Sequence, residues 1–284
     1  MMKIGIESAG YIEHYGLREG LRRMKAQGYE TLDYQTLADT ETSLYTCSEA
    51  EYTKKLIEVR NECAAAGIEI SQTHGPWRWP PQDYTEEQRA ERFEKMVKAI
   101  RGTAILGCPY MVIHSIMPFG DDKDPDPERL WSMNYEFMGR LADAGREYGV
   151  IVCHENMPML ALSNSTPEAI LKFVRTLNHP IFKICLDTGH CAVFGLSVGD
   201  AVRMTGKELL RVLHVHDNDG HGDRHWLPYT GVIDWDDFSN ALEEIGFEGS
   251  LSLETHIPNS VPDGAEREAA ENKLFLDAKR LARR

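Results

Sequence analysis

The residues from His214 to His225 read HVHDNDGHGDRH, which gathers four of the chain's eleven histidines and three aspartates in one short stretch. Imidazoles and carboxylates are the side chains that bind divalent metals and carry protons near neutral pH. A similar donor pair, Asp187 and His190, lies in CLDTGH, and acids end the apolar runs VIVCHE at Glu155 and SLSLE at Glu254. Spacing excludes several arrangements of such donors. An EF-hand loop through Asp217, Asp219 and Gly220 would begin on Val215 and end on Trp226, neither a calcium ligand. The chain has no HExxH run and no paired CxxC, which removes zincin and zinc-ribbon sites.

Donors this far apart in sequence act together only if the fold brings them to one place. The chain repeats a unit that does so. A glycine followed by a short strand-forming run recurs in GYETLDY from Gly28, GIEISQTH from Gly67, GCPYMVIHS from Gly107, GVIVCHEN from Gly149 and GFEGSLSLET from Gly246. Each glycine suits a left-handed helix C-cap, and each run suits a strand. Amphipathic spacing precedes them, as in Leu17, Leu21 and Met24, in Tyr52, Leu56 and Val59, and in Trp131, Tyr135 and Met138. KIGIE, IFKICLD and RVLHVH complete eight strand candidates, each followed by a helix candidate, the last from about Ala265 onward. Eight strand–helix units predict a single (β/α)₈ TIM barrel spanning residues 1–284. A doubly wound open sheet is the rival, but no glycine-rich phosphate loop follows the first strand.

In a barrel of this kind, functional side chains project from the C-terminal strand ends. The candidate strands end at Glu7, Asp33, His74, His114, Glu155, Asp187, His216 and Glu254, all polar and all able to ionise or to bind metal. Polar residues at one or two strand ends are ordinary; at all of them, they point to a site at the barrel mouth. Glu155, Asp187, His216 and Glu254 come from the last four strands and can converge. His214 lies two residues before His216, hence on the same face one layer below, and reads as a packed, hydrogen-bonded core residue. His221 reads as a solvated loop residue.

Composition narrows the function classes. A net charge of −14 weighs against a nucleic-acid partner. No apolar run is long enough for a membrane span, and no signal peptide is evident. Six cysteines without CxxC spacing read as reduced thiols of a cytoplasmic protein.

With HGPW at His74, HENMP at His154, CLDTGH at Cys185, HVHDND at His214 and LETH at Leu253, the chain resembles the xylose-isomerase-like barrel superfamily over essentially its whole length. That group includes sugar isomerases and epimerases, inosose dehydratases and endonuclease IV-type AP endonucleases. The resemblance implies a metal site formed by Glu155, Asp187, His216 and Glu254, with His190 contacting substrate. The endonuclease branch implies further zinc ligands at His74, His114, His190, Asp223 and His225. Yet the mouth loops QTLADTETS, PPQDYTEEQ and FGDDKDPDPE are acidic or neutral, where a DNA enzyme needs cations for phosphates. The sugar branch is therefore the favoured reading, with the AP endonuclease and an inosose dehydratase-type lyase as alternatives. The arginine that tagatose-epimerase-type enzymes carry six residues after the metal histidine falls on Gly222 here, and Arg224 is the nearest substitute.

Three carboxylates and one imidazole suit Mn²⁺, Mg²⁺ or Co²⁺, while engagement of more histidines favours Zn²⁺. The expected chemistry is proton transfer next to the carbonyl of a ketose or polyol-derived ketone through an enediolate, with Glu155 and Glu254 as the acid/base pair. Inversion of one carbon gives epimerisation, and delivery to the neighbouring carbon gives isomerisation; both stay open. Expected substrate contacts are His74, Trp77, His114, His190 and Arg224, with Trp79, Phe119 and Trp226 as further mouth aromatics. The expected partners are an unphosphorylated small sugar or polyol and other copies of this chain in a homo-oligomer, with neither nucleic acid nor membrane. A barrel that binds a ligand without catalysis is a third class, which an absence of metal in the purified protein would favour.

Overall fold

The computed structural model describes residues 2–283. Eight parallel strands form one sheet in the order β7-β6-β5-β4-β3-β2-β1-β8. They are β1 (Lys3–Glu7), β2 (Thr31–Tyr34), β3 (Glu69–His74), β4 (Tyr110–Ile113), β5 (Ile151–Glu155), β6 (Phe182–Asp187), β7 (Leu210–His214) and β8 (Ser250–Leu253). The ends of the sheet meet where the Val215 N–H donates to the Ser252 carbonyl at 2.9 Å and the Glu254 N–H donates to the Val215 carbonyl at 3.1 Å. The result is the (β/α)₈ barrel expected from the repeat.

Eight principal helices cover the outside: α1 (Leu17–Gln27), α2 (Glu49–Ala66), α3 (Glu86–Leu106), α4 (Pro127–Tyr148), α5 (Pro167–Leu177), α6 (Val198–Leu209), α7 (Trp235–Ile245) and α8 (Ala265–Leu281). Local signals set their limits. Ser48 with Glu51 and Thr85 with Gln88 form capping boxes that start α2 and α3. Gly67 and Gly107 end the same helices at φ 67° and 74°, a left-handed conformation that a side chain would strain. Gly28, Gly149 and Gly246 occupy the same C-cap position on α1, α4 and α7. No helix among the described residues is long and apolar enough to cross a membrane.

Two irregularities in strand register matter for the site. Between β6 and β7 the pairing shifts after Ile184↔Leu210, so that Cys185 faces Val212 and Asp187 faces His214. Between β2 and β3 it shifts after Leu32↔Ile70, which sets Asp33 opposite Gln72. Each bulge adds one residue to a strand and re-aims the side chains beyond it. Inside the barrel, Val112, Cys153, Cys185 and Val212 form a small apolar layer on β4 to β7. The other side of the interior carries the fully buried Asp33, Gln72 and Ser252. All six cysteines are free, and five of them are buried.

Candidate metal centre at the barrel mouth

The strand ends converge. Donor atoms of Glu155, Asp187, His214 and Glu254 lie within 4.8 Å of one another, and all four residues are buried. His214 Nδ1 is 2.8 Å from Glu155 Oε1 and 3.3 Å from Glu254 Oε2. The sequence expectation gave His216 to this group and read His214 as a packed, hydrogen-bonded residue; His214 is indeed fully buried and bonded to Asp33 and Glu155, and its Nδ1 also stands among the acids. β7 ends at His214, and the β6–β7 bulge sets that residue beside Asp187. His216 lies beyond the strand, with Nε2 3.0 Å from Asp187 Oδ2 and its ring stacked on His225 at 4.1 Å. Gly189 makes room for it, since a Cβ there would lie 2.0 Å from the His216 ring.

Further donor groups adjoin this one. His74, His114 and Glu155 form one, Asp187, His190 and His216 a second, and His216, Asp223 and His225 a third. His114 Nε2 is 2.8 Å from Glu155 Oε2 and 3.0 Å from His74 Nε2. Asp223 Oδ2 lies 3.3 Å from Nε2 of both His190 and His225.

The far nitrogens of these rings are engaged in a consistent way. Nδ1 of His74 bonds the Gly75 carbonyl, Nδ1 of His190 the Asn156 carbonyl and Nδ1 of His225 the Glu254 carbonyl, each at 2.7 Å. A carbonyl only accepts, so in each case Nδ1 is the donor and Nε2 is the nitrogen left facing the acids. His214 is held the other way round, donating from Nε2 to Asp33 Oδ2 at 3.2 Å. A histidine whose outer N–H is tied to a carbonyl or carboxylate is oriented as metal ligands are. The donor chemistry therefore fits a divalent cation: buried carboxylates and inward-facing imidazole nitrogens, with no lysine or arginine lining the cavity among the described residues.

The electrostatics follow from this crowding. Burial raises the Glu155 carboxyl, but His214 and His114 beside it prevail and hold it well below the usual carboxylate range. Glu254 goes the other way, pushed well above that range by burial and by the charges of Glu155 and Asp187, against the opposing pull of His214 and His225. Burial pushes His114 down to about 4. It also opposes protonation of His190 and His225, yet neighbouring carboxylates raise these to about 10 and about 11. A proton there does the work that a cation would otherwise do.

The mouth opens into a cavity of about 540 Å³ whose lining includes His74, Trp77, His114, His190, Asp223 and His225, together with Glu155 and Glu254. Asp187, His214 and His216 stand behind this lining, fully buried. Of the mouth aromatics, Trp77 and Trp79 face the cavity, while Phe119 and Trp226 do not. Arg224, expected as a substrate contact, is not part of the lining. Its Nε donates to Asp219 Oδ2 at 3.1 Å, because the turn that carries both residues brings the ion pair together locally. His221 is exposed, as expected of a solvated loop residue, and stands at the edge of the cavity.

The supporting residues were mostly missed. Gln35 Nε2 donates to Glu254 Oε1 at 2.7 Å, and Gln72 Nε2 donates to Asp33 Oδ2 at 3.1 Å. Asn156 bonds both the N–H and the carbonyl of Asp187. Asp217 accepts from the N–H groups of Asn218, Gly231 and Ile233 and from the Trp235 indole, which anchors the loop after β7. Asp33, as a polar strand end, and Asp217, inside the histidine-rich run, are the ones that left a signal in the sequence. Glu7, another such end, is occupied by His256 at 2.7 Å.

Comparison with known proteins places this geometry. The family model described as xylose isomerase-like TIM barrel matches residues 21–279. A D-psicose 3-epimerase of Ruminiclostridium cellulolyticum is 29% identical over 147 residues, 51% of this chain and 48% of that protein. An inosose isomerase of Bacillus subtilis is 26% identical over 160 residues, 54% of this chain and 56% of its own length. The chain thus spans about half the length of these curated relatives. Among solved structures, the IOLI protein with a binding zinc atom superposes with a TM-score of 0.75 at 20% identity, covering 99% of this chain and 96% of that one.

Proposed function

The chain belongs to the xylose isomerase-like TIM barrel family, and from that premise we propose that it is a metal-dependent isomerase or epimerase of a small uncharged sugar or polyol-derived ketone. The observation that carries this reading is the convergence of Glu155, Asp187, His214 and Glu254 at one end of an open cavity. These four residues would hold the ion. When bound, a divalent cation supplies Lewis acidity toward the carbonyl and hydroxyl oxygens of an α-hydroxy ketone.

The protein's own residues do the rest. Glu155 ends β5, Glu254 directly follows β8, and both reach the cavity, so one accepts the C–H proton of the substrate and the other returns a proton to carbon. Gln35 holds Glu254 by its Oε1 and leaves the carboxylate aimed at the mouth. Asp33 and Gln72 fix the ring of His214 from below. Trp77 lies edge-on to His114, 4.3 Å between ring centres, and offers an apolar face for the substrate beside the histidines. His74, His114 and His190 supply hydrogen-bonding groups for its hydroxyls.

The additional donor groups favour a second reading, a hydrolase using more than one zinc ion on a phosphodiester, with His74, His114, His190, Asp223 and His225 as the added ligands. The charge of the chain, −14, and the absence of lysine or arginine around the cavity among the described residues oppose it. Two measurements decide. Elemental analysis of chelator-free protein is expected to give at least one divalent ion per chain. Metal-dependent incorporation of solvent deuterium into a ketose or inosose is expected from the first reading, and incision of abasic-site DNA from the second. Metal-free protein with full activity overturns both.

A further inference from the structure

The cavity lining combines two unlike kinds of side chain, and the proton-transfer reading uses mainly the polar kind. At about 540 Å³ its volume falls in the range of pockets that enclose drug-sized ligands. Acids and imidazoles make up one part of the lining. Trp77, Trp79, Met157, Met159, Leu160 and Val193 make up an apolar part, in which Trp77 touches Trp79 and borders the histidines at His114. Met157 and Met159 join Met117 and Leu162 in a separate buried cluster with Trp77 packed against it. Thioethers of this kind form a soft wall that adapts to the shape of an apolar ligand. Trp79 is 60% exposed and Leu160 67% exposed, so apolar surface continues from the floor of the cavity to its rim. Apolar surface held open to solvent beside a polar site marks a binding face.

A bare sugar does not match this wall. One indole covers the apolar face of a ring, and hydroxyls set against thioethers and leucine would lose their hydrogen bonds with water without replacement. An anionic substituent is equally unsuited. The arginine nearest in sequence to these tryptophans, Arg78, is occupied by Thr40 and Gln82, and Arg224 by Asp219.

We propose that the substrate is a keto sugar carrying an uncharged apolar or aromatic substituent, with the sugar against the acidic wall and the substituent on the Trp79–Leu160 side. This rests on the proton-transfer reading of the acidic wall and adds a substrate class to it. A substituent on the anomeric carbon ties up that position, so the carbonyl of such a substrate lies on another ring carbon.

The test uses the full chain loaded with Mn²⁺ and a matched pair of probes, methyl and phenyl β-D-glucopyranoside, each oxidised at a ring carbon to retain a carbonyl beside a hydroxyl. Calorimetric titration is expected to show the phenyl compound binding about tenfold tighter or more. In Trp79→Ala and Leu160→Asn that ratio is expected to collapse toward unity; both side chains are exposed, so the variants are expected to fold. Equal affinities, binding of neither probe, or a preference that both variants retain overturns the proposal. Solvent-deuterium exchange separates the two layers. Exchange into the methyl probe without phenyl preference leaves the proton-transfer reading standing and removes this one. Phenyl preference without exchange into any keto sugar supports the assignment of the apolar wall and removes the proton-transfer reading.

Discussion

The two ends of the barrel both hold polar cavities, yet they differ in how charge is matched. At the N-terminal floor a cavity of about 870 Å³ is lined by Lys3, Lys207 and Arg211 and by Glu69, Glu208 and Glu248. Lys3 pairs with Glu69, and Lys207 lies 3.0 Å from Glu248, with all four side chains at least half exposed. Thr31 and Ser250 satisfy each other inside. At the mouth, by contrast, Glu155 is 1% and Glu254 8% exposed, and no lysine or arginine of the described residues reaches the lining. Solvated, balanced pairs contribute little and call for no ligand. Buried carboxylates without a permanent cation are costly, and a fold keeps them where a metal or a substrate completes them. The imbalance of charge, more than the presence of polar groups or the size of the cavity, distinguishes a site from a solvated end.

That contrast can be broken most directly at Glu155. Glu155→Gln keeps the shape and one ligand oxygen but cannot carry a proton, so on the proton-transfer reading turnover is expected to fall about 10² to 10⁴-fold. Metal occupancy measured on the same variant separates loss of the proton-carrying group from loss of the ion. If the metal-loaded variant retains near-full turnover, the mouth is no more catalytic than the floor.

Removing metal should act on the mouth alone. With free ion at 100 times its Kd, binding stabilises the folded chain by about 2.7 kcal/mol, so chelation is expected to lower Tm in calorimetry. Glu155→Gln and His214→Ala should each shrink that shift, whereas Glu69→Gln at the floor should leave it intact. A chelation effect that survives both mouth substitutions would place the ion elsewhere.

Asp217 sharpens the comparison further, because it is a buried acid that protein donors satisfy on their own. Asp217→Ala leaves three N–H groups and an indole without their charged partner and is expected to cost about 1.5–3 kcal/mol or more, read by denaturant unfolding. Glu69→Gln, by contrast, is expected to change stability by about 0–1 kcal/mol.

The smallest effect belongs to the outer helices. Arg203 holds the Asp237 carboxyl below its ordinary value, through a bond of 2.7 Å. A depressed carboxylate adds stability that is fully present above its unfolded value and is lost as pH falls through the folded one. Tm of wild type should therefore exceed that of Asp237→Asn slightly at neutral pH, and the difference should vanish in acid. A gap that persists at low pH would show that the substitution acts through packing.

Much of the molecule was legible in the chain before any contact was known. Strand-and-helix periodicity, glycines at five helix ends and polar residues at the strand ends are local signals. They depend on residue type and spacing alone, and the barrel follows from their repetition. The donor inventory was equally legible, since it needs only composition and strand order. Assigning donors to groups was not. A period of two places His214 and His216 on the same face, and only the extra residue in the β6–β7 ladder, with the end of β7 at His214, sets His214 among Glu155, Asp187 and Glu254. Gln35, Gln72 and Asn156 gave no warning, because amides carry no sequence signature and gain their partners only when strands from distant parts of the chain come together. Arg224 illustrates the complementary case: adjacency to the motif suggested the substrate, and in the fold a nearer carboxylate, Asp219, holds the guanidinium. Local chemistry determined which groups this protein possesses, while closure of the sheet, the shift in its register and the competition among neighbours for each donor decided which of them meet.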